Sequence, residues 1–159
     1  MALRHRLADA SYWFYDRWRH KTAFDAAEQP CTATDFSGCE GKKYALLVTF
    51  RKDGTAVPTP VWFGLEDDRF VVSTEARTAK VKRIRRNPRV KVFPSDPRGK
   101  PLGPGTEGTA RILETEPERE RAEAALDRHY GRTRRIYEGV MTNTSDMVYL
   151  EVRPVPSDR

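Results

Sequence analysis

The chain has 159 residues, 33% of them charged and 38% hydrophobic, with 29 Lys and Arg against 23 Asp and Glu. That length suits a single domain with a real core, and no apolar run approaches the roughly 20 residues of a membrane-spanning helix. The basic excess is local. Arg77, Lys80, Lys82, Arg83, Arg85, Arg86, Arg89 and Lys91 share one acid-free stretch, and the eight taken from 29 leave 21 cations against 23 acids. Local positive charge on a near-neutral background points to an anionic partner.

From the N-terminus, charges occupy the place of a signal peptide's apolar segment, so a cytoplasmic location is expected. Leu7 to Glu28 is predicted to be helical. Phe14 and Trp18 fall on one face with Leu7 and Ser11, and Arg17, Arg19, His20 and Lys21 surround them. Such a helix packs on the body or on a partner subunit, or else anchors at a membrane surface. Gln29 to Gly41 is a linker. It carries Cys31 and Cys39, whose spacing is not C-x-x-C and which no His neighbours, so neither a redox motif nor zinc is indicated.

Tyr44 to Phe50 is a nearly continuous apolar run, as expected of a strand buried on both faces. Arg51-Lys52-Asp53-Gly54 is a hairpin turn, and Thr55 to Phe63 returns as a second strand. Pro58 and Pro60 lie two apart, so both missing N–H groups fall on one side, and this strand is expected at an edge or against something other than a strand. Glu66 to Arg69 turns the chain into a third strand, Phe70 to Thr74.

The cationic stretch follows as a short helix. Thr78 is its expected cap, Val81 and Ile84 face inward, and Lys80 and Arg83 share a face. Asn87-Pro88 stops it. Arg89 to Phe93 alternates like a half-buried strand. Pro94 to Gly108 is a Pro- and Gly-rich loop, from whose end a strand grows over Thr106 to Leu113. Thr115 and Glu118 form a capping box that opens a helix with a buried face of Ala122, Ala125, Leu126, His129 and Tyr130; Gly131 ends it. His129 is expected at the core edge. Ile136 to Val140 is a candidate short helix, and Met147 to Val152 is the last strand. Six short antiparallel strands with flanking helices predict a mainly β fold closed into a barrel. The sequence carries no nucleophile–base motif, metal set or Walker-type loop.

Three segments also match one family in order and spacing. They are Thr59-Pro60-Val61-Trp62-Phe63, then Ser73-Thr74-Glu75 followed by Lys80-Val81-Lys82-Arg83-Ile84-Arg85-Arg86-Asn87-Pro88-Arg89-Val90, then Arg98-Gly99-Lys100-Pro101-Leu102-Gly103. From Tyr44 to Val152 the chain resembles the flavin/deazaflavin oxidoreductase superfamily, with the six-stranded split β-barrel of pyridoxamine 5′-phosphate oxidase. Its nearest likeness is to the branch that uses the deazaflavin coenzyme F420. The division expected is an N-terminal helix and linker at 1–41, a cofactor-binding barrel at 42–153 and a tail at 154–159.

The resemblance implies a homodimer with cofactor in grooves at the subunit interface. It places Thr59, Pro60, Val61 and Trp62 beside the ring, Ser73 and Thr74 near the ribityl chain, and Lys80 at the phosphate with Arg83 close by. Arg77 is a looser match, because the family often has Arg two before the lysine and this chain has Thr78 there. The activity implied is hydride transfer between the reduced deazaflavin and a small organic acceptor, with Tyr130, Tyr137 or water as alternative proton donors. FMN is the alternative cofactor. A nucleic-acid-binding module is the alternative of a different class. It is not expected, because the rest of the chain is slightly acidic and the patch has no interleaved aromatics.

Overall fold

The structure is a computed structural model that describes residues 21–131 and 146–156. The expected helix up to residue 20, the segment from Ile136 to Val140, Tyr137 and the last three residues of the tail lie outside the described residues. Among the described residues no helix is long and apolar enough to cross a membrane.

Seven antiparallel strands form one sheet: β1 (Tyr44–Phe50), β2 (Ala56–Val61), β3 (Gly64–Glu66), β4 (Arg69–Glu75), β5 (Arg89–Ser95), β6 (Thr106–Ile112) and β7 (Met147–Pro154). Their order is β2-β1-β5-β6-β7-β4-β3. The sequence predicted six strands. The seventh, β3, is three residues long, too short to show a period, and it pairs Gly64 with Val71 and Glu66 with Arg69.

β3 also dictates the shape. β2 and β3 lie at opposite edges of the sheet, yet only Trp62 and Phe63 join them. A two-residue link spans less than about 11 Å, so the sheet has to curl until its edges come together. The result is the curled half-barrel of a split-barrel fold.

The curl defines an inside and an outside. Ala45, Leu47, Val61, Phe63, Phe70, Val72, Val90, Val92, Leu150 and Val152 fill the inside. Phe63 stacks on Phe70 at 4.9 Å there. Outside, helix α1 (Lys21–Glu28) lays Ala23, Ala26 and Ala27 on Leu46, Val48, Phe50 and Phe93. Helix α3 (Glu116–Tyr130) lays Ala122, Ala125 and Leu126 on Val71 and Leu113. Its capping box at Thr115 and Glu118 and its stop at Gly131, φ 65°, are those the sequence predicts. Alanines, three on α1 and two on α3, let each helix approach the sheet closely. At Gly64 an added Cβ would sit 2.7 Å from the backbone of Ala125.

β1 is buried on both faces, as its apolar run requires. The edge position of β2 agrees with its two prolines: Pro58 and Pro60 stand opposite Val48 and Leu46, and the sheet ends there. β5 departs from the expected alternation, since every residue from Val90 to Ser95 is buried. Its outer face is covered by the loop at Gly105, which lies on Phe93, and by α1. That helix also engages Lys91, whose ammonium donates to the carbonyls of Ala27 at 3.0 Å and Gln29 at 2.7 Å. That is a charged cap on the end of α1, where unpaired carbonyls collect. Cys39 belongs to the interior cluster and Cys31 packs on the outer one beneath α1, so the sheet separates two free thiols.

Candidate functional site

Helix α2 (Ala79–Arg86) sits at one end of the half-barrel, with Val81 and Ile84 buried beneath it. Thr78 precedes it but does not cap it with its side chain; its hydroxyl donates instead to the carbonyl of Glu75 at 3.0 Å. The helix begins one residue after a turn, and the hydroxyl closes that turn.

Two cations of α2 reach the sheet. Lys80 Nζ donates to Thr74 Oγ1 at 2.9 Å, and Arg83 Nε donates to Thr49 Oγ1 at 2.7 Å. Both threonines are buried, at 7% and 1% exposure. Thr74 ends the inward face of β4 after Phe70 and Val72; Thr49 ends that of β1 after Ala45 and Leu47. The two neutral hydroxyls and two cations thus close the same end of the barrel.

Lys80 feels this setting. Loss of water around its ammonium, and then the positive charge of Arg83, push its pKa down to about 8, against a smaller opposing pull from Glu75. Lys80 is half-buried as a whole residue, but its charged tip is the part that is desolvated. A desolvated ammonium is normally held on a carboxylate or carbonyl. Here it rests on a hydroxyl beside a second cation, an arrangement that suits an arriving anion.

The other six cations of the stretch do not join them. Lys91 caps α1. Arg89 pairs with Glu107 at 3.1 Å and lies over the ring of Phe50. Arg86 donates to the Phe50 carbonyl at 3.2 Å, so it is not simply a solvated charge. Arg77 is 79% exposed and pairs with Asp146 at 3.4 Å. Lys82 and Arg85 are exposed.

The strand expected beside the ring splits between faces. Val61 is in the interior core. Thr59 is half-buried on the same face, opposite Leu47 and diagonal to Thr49. Pro60 turns outward, with Cγ 3.2 Å from where a Cβ on Gly99 would stand, beside Ala23 of α1. Trp62 also turns outward and stacks on Tyr130 at 5.0 Å. Ser73 is half-buried and opposite Tyr149 on β7, on the face away from Thr74. Lys80 and Arg83 therefore meet the barrel end at Thr74 and Thr49, with Thr59 on the same face as Thr49, while Pro60, Trp62, Ser73 and Arg77 do not join them.

Thr49 belongs to this site and was not among the residues the sequence singled out. Its signal was there: it is the one polar side chain between Ala45 and Phe50 in a run that had to be buried. Tyr130 has a structural task instead of a free hydroxyl. It accepts from the Phe63 N–H at 2.9 Å and donates to the Lys43 carbonyl at 2.5 Å. His129 sits at the core edge as expected, 2.6 Å from the Lys42 carbonyl and tilted on Phe63. Among the described residues no cluster of His, Cys, Asp and Glu could hold a metal.

A curled antiparallel half-barrel with a cation-bearing helix at its end defines a split-barrel protein. The chain belongs to the pyridoxamine 5′-phosphate oxidase family, whose sequence pattern matches residues 37–155. Solved structures share the fold at low identity. An F420 reductase is 23% identical, with 78% of this chain and 95% of that one covered and a TM-score of 0.51. The heme storage protein of Vibrio cholerae is 14% identical, with 74% and 85% covered and a TM-score of 0.58. An FAD-binding protein of Mesorhizobium loti is 17% identical, with 71% and 79% covered and a TM-score of 0.51. No curated protein sequence matches.

Proposed function

We propose that this chain is an oxidoreductase that binds coenzyme F420 and passes a hydride between the reduced deazaflavin and a small organic acceptor. The observation that carries this reading is the pair of cations, Lys80 and Arg83, held on the buried hydroxyls of Thr74 and Thr49 at the barrel end. Such a pair is suited to a phosphate. When bound, the deazaflavin supplies the hydride chemistry; the chain holds its anionic handle and shields the ring from water. Thr59, on the same face as Thr49, continues the site from the phosphate toward the ring.

The preference for F420 rests on charge beyond the phosphate. Exposed Lys82 and Arg85 extend the positive surface of α2, which suits the glutamate-bearing tail of the deazaflavin. FMN is the second reading, favoured by the fact that two convergent cations suffice for one phosphate. The engagement of Arg77, Arg86, Arg89 and Lys91 elsewhere supports a small anionic ligand over a nucleic-acid backbone. A homodimer with cofactor at the interface is part of the proposal, with the membrane surface as a further contact through the N-terminal segment. The deciding experiment is titration of the purified protein with coenzyme F420 and with FMN, followed by fluorescence. Tighter binding of F420 is expected, and binding of neither would end the proposal.

A further inference from the structure

We propose that Thr49 is a positioning residue for the anion grip: its buried hydroxyl holds the guanidinium of Arg83 in place beside Lys80. The inference rests on the cofactor reading above and deepens it.

Arginine on a short surface helix has several rotatable bonds, and fixing it costs side-chain entropy that a ligand would otherwise have to supply. Here part of that ordering is done in advance. Thr49 Oγ1 accepts from Arg83 Nε at 2.7 Å, and Thr49 is 1% exposed, on the doubly buried strand β1. The bond is made through the Nε edge of the planar guanidinium, which fixes the orientation of the whole group. Thr74 does the same for Lys80 from β4. One threonine on each of two strands therefore sets where each positive charge stands, and the two strands fix the spacing between them.

The test compares wild type with Thr49→Val, Thr49→Ser, Arg83→Ala and the double substitution Thr49→Val/Arg83→Ala. The probes are coenzyme F420 and FMN. Valine keeps the shape and removes the acceptor; serine restores it. Thr49→Val should weaken binding of the preferred probe about five- to tenfold, the scale of one ordinary hydrogen bond, because the arginine and its charge remain. Thr49→Ser should recover most of the loss. Arg83→Ala should weaken binding as well, and adding Thr49→Val to it should cost nothing more, because the threonine acts through the arginine.

A ligand-free measurement separates this idea from the cofactor reading. The Nε–Hε resonance of Arg83 should be sharp and slow to exchange in wild type and Thr49→Ser, and should shift to free-arginine values in Thr49→Val. If wild type binds neither probe, the cofactor reading fails and this resonance still decides the positioning. An unchanged resonance in a folded Thr49→Val protein, or additive losses in the double substitution, would overturn the inference.

Discussion

The Nζ of Lys80 and the Oγ1 of Thr74 lie 2.9 Å apart, joining a desolvated cation to a neutral hydroxyl. Desolvation and the nearby Arg83 hold the lysine pKa at about 8 instead of the ordinary 10.5. The sign of the linkage follows. Below about pH 8 both folded and unfolded chains carry the proton, and the full cost of the buried charge is present. Between about 8 and 10.5 the unfolded chain holds the proton more tightly, so stability from this group rises with pH. Urea unfolding of wild type and Lys80→Met across this window should show a rising contribution in wild type that the substitution abolishes. Equal pH dependence in the two proteins would remove Lys80 as its source.

The same group should couple ligand binding to proton uptake. A phosphate placed beside Lys80 favours its charged form, so affinity for an anionic cofactor should fall as pH rises past about 8. Calorimetry in two buffers of different ionisation enthalpy should detect proton uptake above that pH and almost none at pH 6.5.

Lys80 and Arg77 come from one cationic stretch but occupy different settings. Lys80→Ala should weaken cofactor binding by about 1–3 kcal/mol, the range for a hydrogen bond to a charged group. Arg77 is exposed and paired with Asp146, away from Lys80 and Arg83. Arg77→Ala should leave cofactor affinity within about 0.5 kcal/mol of wild type, as for most surface substitutions. Isothermal titration of both variants checks the contrast, and an equal loss from Arg77 would place it in the site.

The contrast also marks what the sequence could show. The apolar run of β1, the two prolines of β2, the capping box at Thr115 and the alanine face of α3 were legible because each follows from local periodicity or backbone chemistry. The roles of the cations were not. Lys91 and Lys80 are alike in one dimension; only the arrival of α1 over β5 makes one a helix cap, and only the curl of the sheet brings Thr74 and Thr49 under α2. β3 was missed for a related reason, since three residues carry no period and its pairing with β4 depends on the corner at Trp62 and Phe63.

Lys91 supplies a test of the fold free of the site. Its buried ammonium satisfies the carbonyls of Ala27 and Gln29, so Lys91→Met keeps much of the stem and removes the donor. One buried and one half-buried acceptor lose their partner, and the expected cost is about 1–3 kcal/mol. Because the bonds tie α1 to β5, the loss should fall first on α1. Hydrogen exchange should speed up over Lys21–Glu28, while Lys80 and Arg83 on α2 keep their hold on Thr74 and Thr49 and cofactor affinity stays at the wild-type value. A parallel loss of affinity would show that α1 supports the barrel end from across the sheet, which the present arrangement of contacts does not predict.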